Sequence, residues 1–283
     1  MKYDALGTRM KKYEYVTRTH LINRCPAIIR IDGKAFHTFT RGFKKPFDEI
    51  LIKSMQETMK YLCENIQGCV LGYTQSDEIT LVLVDYKKLD SCAWFDYNIQ
   101  KMCSIAASMA TLAFNKFFKE NVDKWAEENP LEDCLNKEKR SDIFDNWRLN
   151  DYYNQRKSYF SSVKKGAMFD ARVFNIPKEE VCNCILWRQN DATRNSIEMV
   201  GQANFSHGQL HKKSCNEIQD MLMLQKGINW NNYQTHLKRG SCCIRKADEE
   251  TGRNEWIIDT EIPIFKGEGR DYIDKLVFIE DRN

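Results

Sequence analysis

The sequence lacks any apolar run that approaches the ~20 residues needed to cross a bilayer. Its first residues, MKYDALGTRMKKYEYV, also lack the apolar core of a signal peptide. The 11 cysteines include no C-x-x-C pair, and their irregular spacing does not fit a zinc site. We therefore expect a cytoplasmic protein with reduced thiols and no membrane partner.

Neither sign of charge is in large excess, because the net charge of the 283 residues is only +3. This value is too small to imply a nucleic-acid partner by itself. The charge is uneven, however, since residues 1–60 hold 13 Lys and Arg against 6 Asp and Glu. Such a basic region can contact phosphates, although solvated helix faces produce the same bias.

The hydrophobic pattern predicts an α+β fold. Compact apolar runs predict strands at 27–32, 69–73, 79–84 and 168–176, and periodic apolar positions predict helices at about 47–64 and 95–118. Their order matches a split β-α-β, ferredoxin-like unit with an antiparallel sheet. We expect this catalytic domain to span 1–176, with a polar, partly helical insertion at about 120–165.

Residues 177–283 are expected to form a largely helical extension. The SCNE sequence beginning at Ser214 is a capping box, which predicts a helix that ends near Gly227. Two late strands are predicted near 241–245 and 256–260. His207, His211 and Cys215 are spaced for one helix face, but we interpret them as structural because Gly208 and the capping box interrupt that helix.

Two adjacent carboxylates, Asp77 and Glu78, stand in the apolar stretch YTQSDEITLVL. Neighbouring strand residues point to opposite faces, so one acid would face the core. A buried carboxylate is costly unless it is paired or binds a cation. The alternative is a hairpin turn before the strand, since turns favour Asp.

Asp32 ends the first predicted strand, and Asp77 lies at the predicted hairpin turn. The first and third strands of a split β-α-β sheet are neighbours, so the two acids are expected to converge. Two carboxylates and a backbone carbonyl offer the oxygen ligands that Mg²⁺ prefers. A pair of such ions would activate a hydroxyl and neutralise a leaving pyrophosphate.

The segment RIDGKAFHTF adds a possible phosphate site directly after Asp32. Gly33 permits close approach of a ligand to the backbone, and a turn of exposed amides from Gly33 to His37 would suit a triphosphate. Lys45 and Lys101 could reach the same anion, although each is also explained as an ordinary surface charge. The Phe36 side chain is interpreted as core.

The sequences RIDGKAFHTFTRGFKKP and GYTQSDE together resemble the signature of the histidine-tRNA guanylyltransferase superfamily, the reverse (3′–5′) RNA polymerases. The resemblance extends from about residue 13 to residue 240. Further matching segments are the long helix with Lys101, FDARVFNIP at 169–177, WRQND at 187–191 and KRG at 238–240.

The resemblance implies a polymerase-like palm that adds nucleotides to the 5′ end of tRNA, with GTP, ATP and other nucleoside triphosphates as substrates. The end would be activated as a triphosphate or by adenylation. Members of the superfamily are tetramers, so a homotetramer is expected here.

The site residues that the resemblance implies fall into three groups. Asp32, Asp77 and the Gly33 carbonyl would bind two Mg²⁺ ions, with Glu78 as an accessory acid. The nucleotide would contact Gly33, Lys34, Ala35, Phe36, His37, Lys45, Ser76, Asp77 and Lys101. The RNA would contact Arg30, Arg172, Asn195 and Lys238.

The chain departs from the superfamily pattern at two places. Enzymes specific for histidine tRNA carry a His-Ile-Asn-Asn run after WRQ, whereas this chain has TRNS at 193–196 and keeps only Asn195. Asn98 replaces an arginine that contacts triphosphate. The chain therefore resembles the guanylyltransferase-like branch, which repairs 5′-truncated tRNA by copying the opposite strand.

Three alternatives remain open from the sequence. The first is addition of G to histidine tRNA alone. The second is a palm-type nucleotide cyclase, which needs the two carboxylates but no RNA. The third is a non-catalytic tRNA-binding protein, against which the intact pair Asp32 and Asp77 argues.

Overall fold

The computed structural model of the protein describes residues 4–130, 145–247 and 252–279. Its centre is a six-stranded sheet in which every neighbouring pair is antiparallel. The strands are β1 (Ala27–Gly33), β2 (Cys69–Gln75), β3 (Glu78–Leu83), β4 (Phe169–Asn175), β5 (Ser241–Ala247) and β6 (Asn254–Asp259), in the spatial order β4-β1-β3-β2-β5-β6. The predicted α+β class and the central pairing of β1 with β3 are confirmed.

The described helices lie before, between and after the strands. They are α1 (Ala5–Val16), α2 (Phe36–Phe39), α3 (Glu49–Asn65), α4 (Ile99–Glu128), α5 (Asp145–Lys165), α6 (Lys178–Asn204), α7 (His207–Leu210), α8 (Cys215–Lys226), α9 (Thr235–Arg239) and α10 (Asp271–Val277). Short 3₁₀ turns occur at Trp94–Tyr97, Trp230–Asn232 and Gly267–Arg270.

Strand β1 is apolar on both faces because helices cover both faces of the sheet. Ile29 and Ile31 pack with α3 and α4, whereas Ile28 packs with α6 and α10. Successive strand residues alternate between faces, so Arg30 and Asp32 lie on the face that carries α6. The polar end of this otherwise buried strand forms one wall of the site described below.

Helix α4 is longer than the sequence analysis predicted. It begins at Ile99, after the 3₁₀ turn, and continues to Glu128, with Phe118 and Val122 extending its buried stripe. The predicted insertion at 120–165 therefore begins inside a helix, and its later part is α5, whose Tyr159 is buried. The basic KEKR run at 137–140 lies outside the described residues.

The two predicted late strands are present and extend the same sheet, since β5 pairs with β2 and β6 pairs with β5. The division between a domain at 1–176 and an extension at 177–283 stays a prediction. Ser214 and Glu217 form the predicted capping box of α8, and Gly227 ends it. No helix in the described ranges is long and apolar enough to cross a lipid bilayer.

Candidate active site

Three acidic residues, Asp32, Asp77 and Glu78, lie where β1 ends and the β2–β3 hairpin turns. Ser76 and Asp77 form a two-residue turn, and the backbone amide of Gly33 donates to the Asp77 carbonyl oxygen over 3.1 Å. Asp32 lies opposite Glu78 in the register of β1 and β3. The predicted convergence of two acids 45 positions apart in the chain thus follows from the pairing of these strands.

Asp77 is held in a partly buried position despite its charge. Burial raises the pKa of the Asp77 carboxyl, and the charges of Asp32 and Glu78 raise it further. A hydrogen bond of 2.9 Å from the Ser76 hydroxyl and the backbone amide of Asp77 act in the opposite direction. A bound cation would offset the repulsion between these acids.

The donor set fits Mg²⁺ only if the substrate completes the coordination shell. Within residues 4–130, 145–247 and 252–279, no group of three or more His, Cys, Asp or Glu side chains is arranged to hold a metal. Mg²⁺ is commonly held by one or two carboxylates together with substrate phosphates and water. Asp32 and Asp77 supply the two carboxylates that such an arrangement requires.

Glu78 forms an ion pair with a residue of helix α6. Gln75 donates a hydrogen bond of 2.9 Å to Glu78 Oε2, and Arg188 Nε lies 3.1 Å from the same oxygen as an ion pair. Arg188 also donates to Asp191, which pairs with Arg194, and only 6% of the Arg188 side chain is exposed. Arg188 lies in the WRQND motif, but no local pattern indicates its partner on β3.

A cavity of about 490 Å³ is lined by Asp77, whereas Asp32 directly precedes Gly33 of its wall and is not itself among the lining residues. Seven of the predicted nucleotide contacts line this cavity: Gly33, Ala35, Phe36, His37, Lys45, Ser76 and Asp77. Sequence reasoning missed other lining residues, which are Thr40, Phe43, Lys44, Pro46, Asp48, Leu51 and Met199. The residues between 40 and 51 form the loop before α3 and its first turn. Those up to Pro46 belong to the RIDGKAFHTFTRGFKKP motif, but a contact was predicted there only for Lys45.

The loop after β1 is held in shape by aromatic packing. A Cβ atom at Gly33 would lie 2.2 Å from the Phe36 ring, so only glycine allows this contact. Phe36 packs on Phe39, Phe114 and Phe169 at centroid distances of 5.0, 5.5 and 5.2 Å, which confirms its interpretation as core. Ala35 adopts a positive φ of 55° at the N-cap of α2.

The predicted turn of free amides is shorter than expected. The Gly33 amide donates to Asp77, and the Lys34 amide donates to the Met168 carbonyl oxygen over 2.8 Å. The Lys34 side chain is exposed, but Lys34 is not among the residues that line the cavity. Contacts of a triphosphate with the amides of 35–37 remain a prediction.

The predicted RNA contacts form two groups, Arg30 with Arg172 and Asn195 with Lys238. Arg30 and Arg172 are opposite each other on β1 and β4, and Arg30 lies 5.6 Å from the Trp187 ring of α6. Asn195 lines a smaller cavity of about 80 Å³ that also contacts Ser76.

The Lys238 side chain contacts residues a few positions earlier in the chain. Its Nζ donates to the Asn231 carbonyl oxygen over 2.6 Å and lies 5.5 Å from the Trp230 ring. The Ser196 hydroxyl donates to the Lys238 carbonyl oxygen over 3.1 Å, so Lys238 lies close to Asn195.

Lys101 is not brought to the cavity of its own chain. Thr111 on α4 accepts a hydrogen bond from the Phe169 amide near the carboxylates. Lys101 lies ten residues earlier, about 15 Å along the helix axis at 1.5 Å per residue. Its Nζ is 5.7 Å from the Phe95 ring. Asn98 caps the N-terminus of α4, because its side-chain oxygen accepts a hydrogen bond from the Lys101 amide.

Asp32 at the end of β1 and Asp77 in the β2–β3 turn, next to a cavity lined by Gly33 and Lys45, form an arrangement that fits a nucleotidyltransferase site. The family model described as tRNAHis guanylyltransferase (Thg1) matches residues 7–177. The chain belongs to this family and is a nucleotidyltransferase.

Relatives of known structure and sequence agree with this assignment. A bacterial tRNA(His) guanylyltransferase (Thg1)-like protein in complex with ATP has a TM-score of 0.76 and 38% identity, covering 97% of this chain and 100% of that chain. A structure of such a protein in complex with GTP gives 0.74 and 37%, with the same coverage. The tRNA(His) guanylyltransferase of Saccharomyces cerevisiae is 28% identical over 84% of this chain and 91% of that protein.

Proposed function

We propose that this chain adds nucleotides in the 3′–5′ direction to the 5′ end of tRNA and repairs 5′-truncated tRNA by copying the opposite strand. Nucleotide addition to a tRNA 5′ end is the activity that family membership supports. The observation that carries the proposal is the placement of Asp32 and Asp77 beside a cavity lined by the loop after β1.

The reaction would use Mg²⁺ held by Asp32, Asp77 and the Gly33 carbonyl. When bound, two such ions would neutralise charge on the phosphates and lower the pKa of an attacking hydroxyl. The chain itself orients the substrate, because Lys45 reaches the cavity to pair with phosphate and His37 lies at its wall. The 3′-hydroxyl of the incoming nucleotide then attacks an activated 5′ end and pyrophosphate or AMP leaves.

Templated repair is favoured over addition of G to histidine tRNA by two observations. The His-Ile-Asn-Asn run is absent, and TRNS stands in its place within α6. The bacterial Thg1-like proteins are also more similar to this chain than the yeast enzyme is. A cyclase is disfavoured because the family is named for transfer to tRNA.

A homotetramer is part of the proposal because it gives Lys101 a role. Lys101 is remote from the cavity of its own chain, so its predicted contact with a triphosphate requires a second copy. The support is the distance along α4 and the superfamily resemblance.

The experiment compares two substrates, namely a tRNA that lacks its first nucleotide and carries a 5′-triphosphate, and intact histidine tRNA. Each labelled nucleoside triphosphate is added with Mg²⁺ to the native protein, Asp32→Asn and Asp77→Asn. Asp123→Asn is the control, because Asp123 is a surface acid on α4 that pairs with Lys119.

The proposal predicts that native protein and Asp123→Asn extend the truncated tRNA and that both site variants do not. Extension of intact histidine tRNA alone would favour the histidine-specific alternative. Consumption of ATP or GTP without extension would favour the cyclase.

A further inference from the structure

A second groove, of about 590 Å³, begins at the rim of the catalytic cavity. Lys44, Lys45 and Pro46 line both, so the two spaces are continuous along this loop. The far side of the groove is formed by α3 and by the segment from Tyr233 to α9. None of the predicted nucleotide or RNA contacts except Lys45 lies in it.

The groove is positively charged. Lys44, Lys45 and Lys53 line it against a single acid, Glu49. Lys44 is 3.7 Å from Glu49 and Lys53 is 3.9 Å from Glu57, and such exposed pairs are weak. Lys45 takes part in none of the ion pairs of the described residues. These ammonium groups are therefore available to phosphates.

The same groove has an aromatic wall. Phe47 and Tyr233 meet edge to face, with centroids 5.4 Å apart and an interplanar angle of 75°. In this geometry one ring keeps its faces uncovered by the other, and both side chains are only partly buried. A positive groove with aromatic side chains is the arrangement that binds single-stranded nucleic acid, because bases stack on rings while lysines follow the backbone.

We propose that this groove binds the RNA strand as it enters the catalytic cavity, with phosphates on Lys44 and Lys53 and a base against the pair Phe47 and Tyr233. The inference rests on the proposed function and names where its RNA lies. A templating base must lie against the nucleotide in the catalytic cavity, so the RNA strand that carries this base has to cross the rim of that cavity. The groove begins at this rim, at Lys44, Lys45 and Pro46. Burial lowers the pKa of His236, which also lines the groove, so its imidazole is neutral at pH 7 and the lysines supply the positive charge.

The test uses Lys53→Gln with Lys60→Gln as a matched control. Both lysines lie on α3 and pair with a glutamate four residues later at 3.9 Å, but only Lys53 lines the groove. Binding of a fluorescent acceptor-stem hairpin without its first 5′ nucleotide is measured over a range of salt concentrations, without nucleoside triphosphate. Lys53→Gln should reduce the slope of log K against log salt by about 0.7, whereas Lys60→Gln should not.

Tyr233 provides an independent variant. Tyr233→Leu should weaken hairpin binding about fivefold or more, and Tyr233→Phe should retain it, because stacking on a base needs only the ring. Thermal unfolding of each variant verifies that the fold is intact. GTP binding, measured by calorimetry, should keep its Kd and stoichiometry in all four variants.

Hairpin affinity and salt slope equal to native in both Lys53→Gln and Tyr233→Leu would overturn the proposal. If native protein binds two GTP molecules in the calorimetric measurement and these variants bind only one, with hairpin affinity unchanged, the proposal would be overturned in favour of a site for free nucleotide in the groove. Asp77→Asn separates the two claims, since it should bind the hairpin without extending it. If the native protein binds the hairpin but adds nothing, the proposed function fails while the groove can still be tested.

Discussion

At the scale of single residues, Asp77 combines burial with repulsion from two neighbouring acids. Both effects destabilise its charged form in the folded chain and raise its pKa from the ordinary value of 3.8. Residues that are held in unfavourable environments frequently belong to functional sites, where a ligand compensates for the strain. The stability of the protein should therefore depend on this carboxyl and on what binds to it.

Asp77→Asn should raise the free energy of unfolding at pH 7 in the absence of Mg²⁺, because it removes a partly buried charge. Between pH 3.8 and the raised pKa, folded native protein retains a proton that the unfolded chain loses, so its stability declines as the pH rises. The difference between variant and native protein should grow across that interval. Denaturant titrations at several pH values measure it.

Added Mg²⁺ and GTP should stabilise the native protein and should stabilise Asp77→Asn much less. Asp123→Asn should respond as native protein does. A thermal shift with Mg²⁺ and GTP that is equal in native protein and Asp77→Asn would show that Asp77 does not hold the cation.

Arg188 is the second residue whose environment makes a definite prediction. It is almost fully buried between Glu78 and Asp191, so Arg188→Met would leave Glu78 without its cation and Asp191 paired with Arg194 alone. Because both acids are partly solvated, we expect a loss of about 2–3 kcal/mol, at or below the range for breaking a buried ion pair.

Arg194→Met is the matched control, since Arg194 pairs with the same Asp191 but is 58% exposed. Its cost should stay below about 1 kcal/mol, as is usual for surface pairs. Equal losses in the two variants, measured by urea unfolding, would mean that burial of Arg188 is not what matters.

At the scale of elements, helix α8 shows what local sequence determines. The Ser214 hydroxyl accepts from the Glu217 amide over 3.3 Å, and the Glu217 carboxylate accepts from the Ser214 amide over 2.9 Å. Ser214→Ala should cost about 1 kcal/mol, the usual value for loss of an N-cap. Urea unfolding measures this loss, and Ser214→Asp, which can still cap, should recover most of it.

The capping box also predicts a pH dependence. Hydrogen bonds from Ser214 and Lys213 lower the pKa of Glu217 to about 2. The folded state then holds fewer protons than the unfolded state, so this stabilisation is complete above the ordinary pKa of 4.5 and is lost as the pH falls towards 2. Glu217→Gln should lack this part of the acid dependence.

How far an element could be predicted depends on whether its cause is local. The capping box, the compact apolar run of β1 and the hairpin of β2 and β3 are encoded within a few residues, and the structure has all three. The pairing of β5 with β2 joins positions about 170 apart, and no local pattern specifies it. The late strands were predicted, but their place in the sheet was not.

The same distinction between local and long-range causes explains which residues of the candidate site could be predicted. Asp32 and Asp77 were predicted because strand order alone brings them together. Arg188 was missed as a partner of Glu78 because only the packing of α6 on the sheet joins residues 110 positions apart. Lys101 was assigned by motif, and the motif contains no information about which chain's cavity it reaches.

At the scale of the whole molecule, the proposed homotetramer predicts that the activity depends on Lys101 of a neighbouring copy. If a neighbouring copy supplies Lys101, then Lys101→Gln and Asp77→Asn should each have low activity alone. In a mixed oligomer, some cavities combine Asp32 and Asp77 of a Lys101→Gln copy with Lys101 of an Asp77→Asn copy. Mixing the two variants after reversible dissociation should restore part of the nucleotide addition. Lys116→Gln, another exchange of a lysine on α4, is the control.

Activity of the mixture equal to the mean of the two separate variants would contradict a lysine supplied by another copy. Full activity of Lys101→Gln alone would instead remove Lys101 from the site. Size-exclusion chromatography with light scattering gives the oligomeric state for each sample.

The most direct test of the account is to change the templating nucleotide. A tRNA that lacks its first 5′ nucleotide and carries a 5′-triphosphate is prepared in four versions, which differ only in the base opposite the missing position. Templated repair predicts that the added nucleotide changes with that base to keep Watson–Crick pairing, and that Asp77→Asn adds none. Addition of G to all four versions would contradict templated repair.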